Sequence, residues 1–252
     1  MFLALTALSA AWAGRELISC FGGGAGNGQA GGAQPEGKSK TAGEEKNARA
    51  PGAFEYAAGC LILAAAVLNL MATTVPEIFY DSLVYHLSLP KLYLLRGGVV
   101  PTPENVYSGT PFAVQMLFGW ALGVSGEKLA SLLHASFGLA AAWGIWSWAK
   151  TCVDGETGAL AALLFYLAPL GMYASWYCGV DLASSFFVVA ACIALSRSLE
   201  EEDVAVRRGC QILCGLLTGL AMSTKYNAFP IGVFIVLVHG FLSLRAGRSW
   251  KE

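Results

Sequence analysis

From residue 54 onward the chain repeats one pattern: a long apolar run, then a short polar break. The runs cover 54–75, 129–149, 157–174, 182–199, 208–224 and 228–244. At about 16–22 residues each, they match what a helix needs to cross a bilayer once tilt and snorkelling are allowed. Helices of a soluble fold carry charge along their outer faces, and these runs have almost none to offer. The pattern predicts an all-α fold: a polytopic transmembrane helical bundle with juxtamembrane helices in the first long loop, within a domain spanning 54–252. Two further apolar segments are short. Met1–Gly14 reads as a short N-terminal hydrophobic helix; as a signal segment, with Ala11-Trp12-Ala13 for its cleavage site, it lacks the basic leader. Pro111–Ser125 is bounded by Pro111 and Gly126 and either spans or lies at an interface.

Composition sharpens this reading. Charged residues make up 13% of the chain, about half the usual share. Between Phe54 and Ser196 there are 12 of them, and five fall within Glu77–Glu104. A net charge of −1 leaves no basic patch for nucleic acid, which is excluded as a partner. The seven cysteines sit mostly inside apolar runs and form no CxxC or Cys/His cluster, so they read as small membrane-core residues. Residues 22–52 hold ten glycines among mixed charges, and 15–53 is expected to be a flexible, Gly-rich cytoplasmic linker. Within it Gly26–Gly31 formally fits GxGxxG, but no strand precedes it and no helix start follows.

Charge placement also orients the bundle. If 111–125 crosses, Lys and Arg divide seven inside and nine outside; if it lies at the outer interface, they divide twelve inside and four outside. The positive-inside rule selects the second arrangement. It puts the loop 76–128, the loop 175–181 and the turn at Lys225 on one, extracytoplasmic side.

The chemistry-bearing residues collect in those three places. In the first loop Glu77 and Asp81 stand four apart, so in a helix they share one face, and Tyr85 continues it. Carboxylates beside a membrane are costly and are functional candidates by default; the alternative for Asp81 is a helix cap. Asp181 opens the run Leu182–Ser196 and is also either a cap or a site residue. Lys225 ends the Gly-rich run Gly215–Thr224, as a snorkelling anchor or as an ammonium suited to an anionic headgroup. His86 is the one histidine in the first loop; His134 and His239 fall inside spans and read as packing or interhelical hydrogen-bonding residues. No HExxH, GxSxG, P-loop or Cys/His pattern occurs, which leaves hydrolytic and ATP-driven chemistry without sequence support.

An acidic first extracytoplasmic loop, an Asp in the next and a Lys two spans later resemble the GT-C membrane glycosyltransferases. The closer branch is the bacterial group like protein O-mannosyltransferases and lipid A aminoarabinose transferase. Asp81-Ser82-Leu83-Val84-Tyr85-His86, with Pro90-Lys91, Gly97-Gly98 and Asn105-Val106-Tyr107-Ser108, is similar to that branch's catalytic loop. Val180-Asp181-Leu182 resembles its second acidic site, and Gly215–Lys225 its Gly-rich span ending in Thr-Lys. The likeness covers roughly 54–244. It departs in two places: Ser82 follows Asp81 where paired acids are common, and Ser108-Gly109-Thr110 stands where aminoarabinose transferases carry a lysine.

The resemblance implies a multi-pass protein of the cell membrane, working among membrane lipid, that moves a sugar from a polyprenyl-phosphate donor to an acceptor it does not identify. Asp81, with Glu77, would serve in catalysis. Tyr85, His86, Lys91, Arg96, Asp181 and Lys225 would contact substrate. No cofactor is called for; a divalent metal ion, if one binds, would take Asp81 and Asp181. Family members usually have more spans, so a truncated member completed by a second chain is a related expectation. The competing readings are a non-catalytic membrane subunit and a transporter. A transporter would carry ionisable residues deep in its spans, whereas here the acids gather in loops on one side.

Overall fold

A computed structural model describes residues 50–245, with side chains to Phe241. The predicted helix at 1–14 and nearly all of the predicted linker at 15–53 lie outside these residues. The described chain is helical, with no strand among the described residues. In chain order the helices are α1 (Ala53–Ala72), α2 (Ser88–Arg96), α3 (Ala113–Ser125), α4 (Glu127–Cys152), α5 (Gly155–Leu167), α6 (Pro169–Ala174), α7 (Asp181–Glu200), α8 (Val204–Thr224) and α9 (Phe229–Arg245). Helices α1, α4, α7 and α8 are long and apolar enough to cross a membrane.

Local chemistry sets the boundaries. α1 stops at Ala72 rather than at 75 because the hydroxyls of Thr73 and Thr74 turn back and donate to the carbonyls of Leu70 and Met71. Asp203 caps α8 by accepting the N–H groups of Ala205 and Val206 at 2.8 and 3.1 Å. Asp154 caps α5 through the N–H of Thr157 at 2.7 Å. That bond holds the Asp154 carboxyl below its ordinary range. The expected single span 157–174 is instead two helices. Pro169 has no N–H to continue α5 and forces Ala168 out of the helical region, to ψ 134°.

Small residues let the helices approach closely. A Cβ at Gly158 of α5 would lie 2.6 Å from the Trp146 carbonyl of α4, so only glycine fits that contact. Glu55, 8% exposed, reaches the first residue of α5: a Cβ at Gly155 would meet its carboxylate at 2.5 Å. A carboxylate at a helix N-terminus is favoured by the dipole there and ties α1 to α5.

α3 has 13 residues, a length of about 20 Å, well short of the hydrocarbon thickness. Gly126, at φ 82°, turns the chain directly from α3 into α4. Val114, Phe118 and Ala121 of α3 form one core with Leu87, Ala130 of α4, and Val180 and Ala183 at the start of α7. α3 therefore packs beside the first turns of two long helices, one of which, α7, opens with Asp181.

Candidate active site

The first loop runs non-helically through Pro76–Ile78 and then winds into a π-turn, Ser82–His86, in which the Leu87 N–H donates to the Ser82 carbonyl at 2.8 Å. Asp81 leads into that turn with helical angles, φ −64° and ψ −37°, yet its side chain makes no capping hydrogen bond. Tyr85 lies one turn on. Its phenol is pushed up to about 12, by burial first, then by the charge of Asp81, with Tyr107, Asp181 and Tyr226 adding. Asp81 and Asp181 thus act on the same ring from loops a hundred residues apart in sequence.

Glu77 does not share a helical face with Asp81 as expected. It precedes the helical turn, and backbone groups engage its carboxylate. Oε1 accepts the N–H of Ile78 at 3.0 Å and of Phe79 at 2.9 Å, and Oε2 accepts the N–H of Cys178 at 2.6 Å. Three charge-assisted bonds outweigh a helical register that would set two carboxylates over one another.

The contact with Cys178 belongs to a clamp. The Ser82 hydroxyl donates to the Cys178 carbonyl at 3.1 Å, so the first loop holds both backbone polar groups of Cys178. Phe79 stacks on Tyr177 with ring centroids 4.0 Å apart. The Trp176 indole N–H donates to Asn69 Oδ1 of α1 at 2.9 Å, and Asn69 Nδ2 donates to the Tyr166 hydroxyl of α5 at 3.1 Å. The Cys178 thiol, fully buried, is pushed up to about 12 chiefly by that burial and is inert as a nucleophile.

This anchored segment delivers Asp181 to the first turn of α7. Its carboxylate pairs there with Lys225, Oδ1 to Nζ 2.5 Å. Lys225 follows α8 in an extended conformation; its side chain stays 31% exposed and that of Asp181 45%. Beside the pair a groove of about 540 Å³ runs along α7, past Asp181, Ser184, Ser185, Val188 and Val189, with Asn227 opposite. Positions three and four apart line one helical face, so Asp181 and Val189 stand about 12 Å apart along it.

The remaining expected contacts divide. His86 is 5% exposed, 3.2 Å from the Gln115 amide through Nδ1, with its ring 4.1 Å from that of Tyr85. Burial, with His134 and Lys225 adding and Asp181 opposing, pushes it down to about 3, so it is neutral near pH 7. It supports Tyr85 from behind. Lys91 and Arg96 are exposed on α2 and form no ion pair among the described residues, so no contact joins them to Asp81, Asp181 and Lys225. No group of three or more metal-ligating side chains occurs among the described residues. The two carboxylates do not fit a divalent ion, because an ammonium already occupies Asp181.

Sequence reasoning missed Asn69, and it quoted Ser82 and Asn105 within the loop motifs without giving either a role. Asn105 Nδ2 donates to the Val84 carbonyl at 2.9 Å while its Oδ1 accepts the Tyr107 N–H at 3.0 Å. This lays Tyr107 on Tyr85, with centroids 4.3 Å apart and planes at 18°. The motif Asn105-Val106-Tyr107-Ser108 marked the place, but not the bond to Val84 that makes the stack.

The family profile described as dolichyl-phosphate-mannose-protein mannosyltransferase matches residues 111–252, more than half of the chain. The match includes Asp181 and Lys225 and begins after Glu77, Asp81, Tyr85, His86, Lys91 and Arg96. No curated protein and no solved structure matches. With an all-α bundle, four membrane-length helices and this match over most of them, the chain belongs to the dolichyl-phosphate-mannose-protein mannosyltransferase family, a family of membrane glycosyltransferases.

Proposed function

We propose that the protein is a multi-pass enzyme of the cell membrane that transfers a sugar from a polyprenyl-phosphate donor to an acceptor hydroxyl at the extracytoplasmic face. The observation that carries this reading is the Asp181–Lys225 pair beside a largely apolar groove that Asp181 itself lines. A lipid-linked sugar phosphate divides in the same way: a chain for the groove, a phosphate for the ammonium, a sugar beyond it.

The acceptor oxygen attacks the anomeric carbon, and the bond from that carbon to the phosphate oxygen breaks. The proton leaves the acceptor for Asp81, and the electron pair leaves with the polyprenyl phosphate. Asp81 suits the base role because its carboxylate is half-buried and engaged in no cap. Lys225 has three N–H donors and gives one to Asp181, leaving two to offset the charge growing on the departing phosphate. Asp181 orients that ammonium. Glu77 belongs with the clamp rather than with proton transfer, since its oxygens are already engaged.

The deciding experiment is Asp81→Asn, assayed for turnover of a polyprenyl-phosphate sugar in reconstituted membranes. Loss of a general base lowers the rate by about 10²–10⁴-fold with insertion unchanged. A wild-type rate in Asp81→Asn overturns the assignment of the base.

A further inference from the structure

The loop 102–110 is built more tightly than its exposure requires. No residue of its 3₁₀ turn, Val106–Gly109, is buried. Yet Asn105 makes two side-chain bonds, Ser108 Oγ donates to the Thr102 carbonyl at 3.1 Å, and Thr110 Oγ1 donates to the Tyr107 carbonyl at 2.8 Å. Since little packing holds this turn, its hydrogen bonds set its shape, and that shape fixes Tyr107. Three rings result in a row: buried His86, half-buried Tyr85 and Tyr107, which is 36% exposed. Tyr107 is the outer end of the row, and among the described residues it has no second ring partner.

We propose that Tyr107, backed by Tyr85, is a stacking platform for a pyranose ring beside Asp81. This rests on the glycosyltransferase reading and adds a sugar subsite to it. A pyranose presents C–H groups on its faces and hydroxyls around its rim. A fixed aromatic face suits the former, and the carboxylate of Asp81, one turn before Tyr85, suits the latter. A rigid two-ring stack needs little ordering when the ligand arrives, unlike a lone surface tyrosine. An interfacial tyrosine anchored in lipid headgroups is the other use of such a residue. Such an anchor needs no Asn105 lock and no stacked partner.

The sugar can come from the donor or from a glycan acceptor, and the chemistry is shared. The test uses the full chain in phosphatidylcholine nanodiscs with methyl mannoside, glucoside and galactoside as probes, read by saturation-transfer NMR. At least one probe receives transfer at the C–H protons of one ring face. Tyr107→Ala lowers that transfer about fivefold or more, the order expected for a lost aromatic contact, and Tyr107→Phe retains it. Displacement by polyprenyl-phosphate mannose assigns the platform to the donor sugar; persistence assigns it to the acceptor. Equal transfer in wild type and Tyr107→Ala, loss in Tyr107→Phe, or no transfer from any of the three probes overturns the platform. Sugar binding through Tyr107 without donor turnover keeps the platform and sinks the glycosyltransferase reading, so the two failures are separate.

Discussion

At the scale of single residues, the two first-loop carboxylates look alike in sequence and differ in their partners. Asp81 makes no cap, whereas Glu77 accepts three backbone N–H groups from two loops. Their substitutions should therefore separate. Glu77→Ala leaves the Cys178 N–H without its acceptor and loosens the join between the loops, a cost of about 1–3 kcal/mol for a buried donor left unmade. Thermal stability and turnover should fall together in that variant, and Glu77→Gln, which keeps acceptor oxygen, should recover part of both. In Asp81→Asn turnover falls while the melting temperature stays near wild type. The measurement is donor turnover beside a melting curve for each variant; a stable but inactive Glu77→Ala would return Glu77 to a catalytic role. Residue type and spacing marked both acids. They did not tell the two apart, because the partner that engages Glu77 lies in the second loop.

Among the helices and the segments joining them, the same limit recurs. The long helices were legible because bilayer-length apolar runs have few other folds open to them. The break between α5 and α6 was written in the sequence too: Pro169 sits inside the apolar run, and its missing N–H was sufficient warning. What no periodicity reveals is a bond such as Asn69 to Trp176, with 107 positions between its ends. Asn69 is 1% exposed and joins α1 to α5 on one side and to the 175–181 segment on the other. Asn69→Leu should remove both bonds, each worth about 1 kcal/mol between membrane helices. It should also let the segment carrying Asp181 shift, lowering turnover by about ten- to a hundredfold, as a displacement near 1 Å can. Asn69→Asp keeps an acceptor for Trp176 and should restore much of the rate. Equal turnover in wild type and Asn69→Leu would mean that the two bonds on Cys178 hold the segment by themselves.

Taken whole, the molecule gathers its chemistry at one end of the bundle, where α7 begins, α8 ends and the first loop folds over both. Lys and Arg divide twelve to four when that end faces outward. In a cysteine-free background, a cysteine at Ser108 should label from outside intact cells and one at Glu202 only after permeabilisation; the reverse pattern would invert the site. The clamp on Cys178 adds a consequence in time. Glu77 and Cys178 are 101 positions apart, and synthesis at about 5–20 residues per second separates their emergence by roughly 5–20 s. For that interval Glu77 has been made but lacks its partner in the second loop, and α1 has had time to enter the bilayer. The join between the two loops is thus made late, after α1 has left the ribosome, so a change in either loop alters how the proposed site closes rather than how the first helix is born.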